Sequence, residues 1–209
     1  MDRIKAALFL ATCLCWSLAQ AQVGNNDSIL NPNLADEGEL AGVAHLDEGL
    51  VAGIVEGRPF ASTLEVDALL SGSLSDEQRA EVYAELFIPL NLNTASGDEI
   101  MLIPGMNNRM THEFEEYRPY TSLDQFRQEI GKYVDDAEVA RLEQYVFAPL
   151  NLNSATRDDF ATVPGASNRM VREFLEYQPY SDMDHFRREI GKYVDEDEVA
   201  RFERYMTLD

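Results

Sequence analysis

Hydrophobic residues recur at helical spacing along most of the chain. Met110, Phe114 and Tyr117 sit at i, i+4 and i+7, one face of a helix, and Met170, Phe174 and Tyr177 repeat the stripe. Leu123, Phe126 and Ile130 form a second stripe, and Val139, Leu142 and Tyr145 or Val146 a third. Polar signals bracket these stripes. Ser122 with Gln125, and Ser75 with Gln78, fit capping boxes. Asp135 with Glu138, and Asp195 with Glu198, place acids at helix starts, where the helix dipole favours them. No stretch alternates with a period of two for long. The pattern predicts an all-α fold of short helices.

The stripes recur because the sequence itself repeats. Residues 90–149 align without a gap on 150–209, with 33 identities in 60 positions. Leu90-Asn91-Leu92-Asn93 returns as Leu150-Asn151-Leu152-Asn153, and Pro104-Gly105 as Pro164-Gly165. The run Glu129 to Asp135 returns as Glu189 to Asp195. A weaker copy, residues 30–89, matches 90–149 at 13 of 60 positions, among them Asn31, Asn33, Arg58, Pro59, Phe87 and Pro89. The expectation is three tandem units of about four short helices each: a degenerate repeat one (30–89), repeat two (90–149) and repeat three (150–209). Proline-containing linkers, Phe87-Ile88-Pro89-Leu90 and Phe147-Ala148-Pro149-Leu150, join them. Residues 22–29 are polar and are expected to be flexible. Units this small bury modest cores, so contacts between neighbours should matter.

Within a repeat, the first two helices meet at a glycine turn, Ile103-Pro104-Gly105-Met106-Asn107-Asn108-Arg109. The last two meet at Ile130-Gly131-Lys132-Tyr133-Val134. This order, opened by Leu90-Asn91-Leu92-Asn93-Thr94-Ala95 and continued by Glu116-Tyr117-Arg118-Pro119-Tyr120, resembles the helix-hairpin-helix domains of the ComEA competence protein family. The resemblance covers 90–209 well and 30–89 weakly. It implies binding of double-stranded DNA without reading its sequence, as in DNA capture or uptake. In such hairpins a glycine lets the backbone approach a phosphate. Amides at the next helix start donate to its oxygens, and a nearby Lys or Arg adds charge.

Carried onto this sequence, the phosphate-binding candidates are Gly105, Met106, Asn107 and Arg109, and their copies Gly165, Ala166, Ser167 and Arg169. The second hairpins add Gly131 with Lys132 and Gly191 with Lys192, and Arg172 extends the basic patch of repeat three. Asn107 and Ser167 stand where the family pattern has a second glycine. Repeat one reads Ala44-His45-Leu46-Asp47-Glu48 at this turn, with two acids and no glycine, and is not expected to bind phosphate. A purely structural reading of the same residues makes the glycines tight turns, the arginines first-turn surface residues and the lysines solvated side chains. The aromatic residues at helical spacing are expected in the core.

Before the repeats, residues 1–21 read as a secretory signal peptide. Arg3 and Lys5 precede an apolar run from Ala6 to Leu18, and Ala19-Gln20-Ala21 forms a cleavage site. The run is short for a membrane span. Lipoprotein processing at Cys13 is the lesser alternative, because Thr12 fits a lipobox poorly. Cleavage after Ala21 leaves no cysteine in the mature chain and implies a periplasmic or secreted location.

Charge then narrows the function. The chain holds 38 acidic and 17 basic residues, a net charge of −21. Residues 31–90, 91–150 and 151–209 carry −10, −6 and −5. This excludes a protein coated in basic patches while leaving room for a small basic face, and it also suits a saline habitat. The three histidines share no ligand spacing, and Asp195-Glu196-Asp197-Glu198 lacks the pattern of a calcium loop, so neither a metal nor another cofactor is expected. No nucleophile constellation or nucleotide loop is present, which points to a non-enzymatic protein. The alternative to DNA binding is an acidic scaffold of the same fold whose partner is another exported protein.

Overall fold

The computed structural model describes Gly24, Asn26 and residues 28–208. The signal-peptide reading of 1–21 lies outside the described residues. The described chain is mostly helical. Helices of five, nine, eight and eight residues follow one another three times. Repeat one holds α1 (Glu37–Ala41), α2 (Glu48–Glu56), α3 (Thr63–Leu70) and α4 (Asp76–Tyr83). Repeat two holds β1 (Leu90–Asn91), α5 (Gly97–Met101), α6 (Asn108–Glu116), α7 (Leu123–Ile130), α8 (Asp136–Glu143) and β2 (Val146–Phe147). Repeat three holds β3 (Leu150–Asn151), α9 (Arg157–Ala161), α10 (Asn168–Glu176), α11 (Met183–Ile190), α12 (Glu196–Glu203) and β4 (Met206–Thr207). No described helix is long and apolar enough to cross a membrane.

Each repeat is closed on itself. Strand β1 pairs in parallel with β2, β3 pairs in parallel with β4, and Leu30 bridges to Leu86 in the same sense. These strands are an addition to the expected all-α fold. Two residues show no alternation, so nothing in the hydrophobic pattern marks them.

The two most distinctive sequence motifs are halves of one clamp. The Asn93 amide donates to the Tyr120 carbonyl at 2.9 Å, and the Tyr120 amide donates back to the Asn93 side chain at 2.6 Å. Asn33 holds Phe60 in the same way, and Asn153 holds Tyr180. Arg118 donates to the carbonyls of Leu92 and Ala95 at 2.7 and 2.6 Å, and Gln178 does the same at Leu152 and Ala155. The opening Leu-Asn-Leu-Asn segment is thereby fixed beneath the middle of each repeat.

One core runs through repeats one and two, from Ile29 to Ala148. A second, built on Phe160, Phe174, Phe186 and Phe202, fills repeat three. Aromatic edges join the repeats: Phe87 meets Tyr145 with ring centres 5.1 Å apart, and Phe147 meets Tyr205 at 4.5 Å. Arg204 reaches the Pro89 carbonyl at 3.3 Å. Repeats one and three face each other across a cleft of about 660 Å³, lined by Leu34 and Glu39 on one side and Gly165 and Ala166 on the other.

The expectation of a flexible 22–29 needs correction at its described residues. Gly24 bridges to Phe147, and Asn26 donates to the carbonyls of Gln144 and Val146 at 2.6 and 3.2 Å. Ile29 is buried. The Asn26 amide satisfies carbonyls beside β2, which ties the segment to repeat two.

Candidate nucleic-acid interface

The first hairpin of each repeat turns through a left-handed residue. Gly105 has φ +78° and Gly165 φ +73°, and repeat one keeps the turn with His45 at φ +65°. The chain then enters α6 or α10 through an extended N-cap. The Asn107 side chain (φ −146°) accepts from the Met110 amide, and the Ser167 side chain (φ −70°) accepts from Met170. Neither residue needs a glycine-like backbone, and each serves as a capping side chain.

Two of the expected amide donors are already used. The Met106 amide bonds the Ile103 carbonyl, and Ala166 bonds Val163, both at 3.0 Å. Met106 and Ala166 are therefore turn-closing residues. The amides free of any intrahelical acceptor belong to the first helical positions, Asn108 with Arg109 and Asn168 with Arg169.

Charge singles out the same two helix starts. Among the described helices, only α6 and α10 have no acid in the first turn. The others carry one to three, as α8 and α12 illustrate. Instead, Arg109 and Arg169 occupy those two first turns, both exposed. In a chain of net charge −21, two positive helix N-termini have been kept clear of carboxylates. Arg172, also exposed, lies three residues beyond Arg169 on α10.

The second hairpins do not form phosphate nests, which corrects the reading of Gly131 and Gly191. Both are right-handed, at φ −61°. A Cβ there would lie 2.7 Å from the Arg127 carbonyl oxygen and 2.8 Å from that of Arg187, and this close approach is what requires glycine. The amides of Gly131, Lys132 and Tyr133 are bonded to Arg127, Glu129 and Ile130. The helix that follows opens with Asp135, Asp136 and Glu138 in repeat two, and with four consecutive acids from Asp195 in repeat three. A phosphate would meet carboxylates at either end.

The lysines of these turns fold back toward the first hairpin. Lys132 pairs with Glu129 and lies 4.9 Å above the Tyr117 ring, and Lys192 pairs with Glu189 and lies 5.1 Å above Tyr177. Arg109 stands 5.7 Å over Tyr133, and Arg169 stands 5.3 Å over Tyr193. The hydroxyls of Tyr117 and Tyr133 share a hydrogen bond at 2.7 Å, and those of Tyr177 and Tyr193 share one at 2.8 Å. The Tyr117 bond, followed by the Glu113 carboxylate, pushes the Tyr133 hydroxyl well above the usual phenol range. Glu129 likewise holds the Lys132 ammonium above its ordinary value. Each of repeats two and three thus gathers one Arg and one Lys around a bonded tyrosine pair. These tyrosines are half-buried, pack against the cores and link the hairpins.

Sequence reasoning missed Arg141 and Arg201. The Arg201 guanidinium lies across Gly165, where an added Cβ would come within 2.8 Å, and donates to the Pro164 carbonyl while pairing with Glu198. Arg141 sits farther from Gly105, 3.6 Å from the same notional atom, and pairs with Glu138. In repeat one these positions are His45 and Glu81, in contact at 2.7 Å. That exchange between matched positions was the available signal.

Repeat one retains none of this basic cluster. Gly49, Gly53, Gly57, Leu69, Gly72 and Ser73 stand where repeat two has Arg109, Glu113, Tyr117, Glu129, Lys132 and Tyr133. Comparison with family models, curated proteins and solved structures finds no match to the chain.

Proposed function

We propose that this chain is an exported, non-enzymatic protein of three tandem helix-hairpin-helix units that binds double-stranded DNA without reading its sequence. Repeats two and three carry the activity. Their N-terminal amides on α6 and α10 take phosphate oxygens, while Arg109, Arg169, Lys132 and Lys192 supply charge around them. The observation that carries this reading is the absence of acids from the first turns of these two helices alone among those described. Export rests on the N-terminal sequence pattern, and the capture or uptake role rests on the resemblance to the ComEA family.

The test is fluorescence anisotropy of the mature chain with a labelled duplex of about 30 base pairs, at low and moderate salt. Saturable binding is expected, weakening steeply with salt and equal for unrelated sequences. The double variant Arg109→Ala/Arg169→Ala should weaken every duplex alike. No binding at low salt by folded protein would refute the proposal and leave protein contact as the role of the fold.

A further inference from the structure

Repeat one has lost its basic cluster, yet it has gained a different surface. Helix α2 is apolar on more sides than the core covers. Leu50, Val51 and Ile54 are buried, while exposed Ala52 and half-buried Val55 lie toward an outer groove of about 610 Å³ between α1 and α2. Leu46 and Val51, both buried, form its floor beneath Val55. Four carboxylates, Glu37, Asp47, Glu48 and Glu56, stand around it. Glu48, Ala52, Val55 and Glu56 follow one another at helical spacing, so the groove wall is one amphipathic face. Asp47 caps α2 through the Leu50 amide. The other three carboxylates are directed to no basic residue among the described ones.

The matched faces of the other repeats show that three of these four charges are specific to repeat one, Glu56 alone being kept as Glu116 and Glu176. Glu37 becomes Gly97 and Arg157, Glu48 becomes Asn108 and Asn168, and Ala52 becomes His112 and Arg172. The same fold position thus runs from strongly acidic in repeat one to basic in repeat three. The hairpin that would repel a phosphate keeps a shallow apolar groove beside Glu37, Glu48 and Glu56, none of which is paired with a base among the described residues.

We propose that the α1–α2 groove docks a basic amphipathic helix of another protein. Its apolar stripe lies on Ala52 and Val55 over the Leu46 and Val51 floor, and its flanking lysines or arginines meet Glu37, Glu48 and Glu56. Electrostatic complementarity selects the occupant, since an acidic or neutral helix would leave the rim carboxylates crowded and unmatched. The surface is separate from α6 and α10, so the chain holds DNA and a protein partner at once.

The test uses the intact mature chain and a fluorescent synthetic helix with leucines along one face and lysines beside them. Two control peptides replace the lysines by glutamates or shuffle the order at constant composition. Anisotropy should show binding of the first peptide only, and amide shift mapping should place it on residues 37–56. The charge reversal Glu37→Lys/Glu48→Lys/Glu56→Lys should weaken binding on the order of tenfold or more. Ala52→Arg, at an exposed position, should do the same by blocking the groove. Neither variant should reduce DNA binding, whereas Arg109→Ala/Arg169→Ala should leave the peptide bound. Equal binding of the shuffled peptide, or unchanged affinity in the charge-reversed variant, would overturn the proposal. So would reversible self-association of the chain that Ala52→Arg abolishes, because the groove would then belong to a second copy.

Discussion

At the first hairpin of each repeat, one backbone shape is reached with two different residues. Gly105 and Gly165 adopt positive φ without steric cost, and His45 adopts it with its ring tied to Glu81. The glycines are not equivalent, because the Arg201 guanidinium covers Gly165 more closely than Arg141 covers Gly105. Gly105→Ala should cost about 1–2 kcal/mol for a left-handed alanine. Gly165→Ala should cost more, because Arg201 must also leave its position against the Pro164 carbonyl and Glu198. Urea unfolding of both variants measures the difference, and equal costs would contradict the role given to Arg201. The turn glycines were legible in the sequence. The handedness of each was not, since a glycine held right-handed by a close carbonyl, as at Gly131, reads like one that is left-handed.

Helices of five to nine residues are too short to persist alone, so caps and cross-helix pairs carry much of their definition. Asn107, Ser122, Asp135 and their repeat-three copies each accept from an amide three residues on, whereas Ser62 in repeat one makes no such bond. Pairs between the last two helices add to this. Arg127 grips Glu143 with two hydrogen bonds of 2.7 and 2.6 Å, and Arg187 grips Glu203 similarly. Repeat one replaces the pair with Asp67 bonded to Tyr83. The Glu143 side chain is 4% exposed against 25% for Glu203. Arg127→Ala, which strands a buried carboxylate, should therefore cost about 2 kcal/mol, and Arg187→Ala clearly less. Thermal unfolding of the two variants checks this order, and the reverse order would refute it. The helices and their caps could be read from periodicity and from Ser, Asn and Asp at the right offsets. The strands that close each repeat could not, because two-residue ladders are fixed by tertiary position rather than by local pattern.

Across the whole molecule, the repeats divide along a gradient of charge, from −10 around repeat one to −5 around repeat three. At physiological salt, charges more than about 8 Å apart are largely screened, so two clear helix starts can act locally within an acidic protein. The candidate basic residues were legible by resemblance, and the structure gathers Arg109 with Lys132 and Arg169 with Lys192 around paired tyrosines. What the sequence did not display was the contrast among helix starts, which depends on knowing where each helix begins. The most direct test replaces the two neutral caps by aspartate, Asn107→Asp with Ser167→Asp. Aspartate already caps α2, α8, α11 and α12, so folding stability should be unchanged. Each substitution sets a carboxylate where a phosphate oxygen would sit. Affinity for a duplex at low salt should fall on the order of tenfold or more, with the thermal midpoint preserved. Undiminished DNA binding by this folded variant would contradict phosphate recognition at α6 and α10.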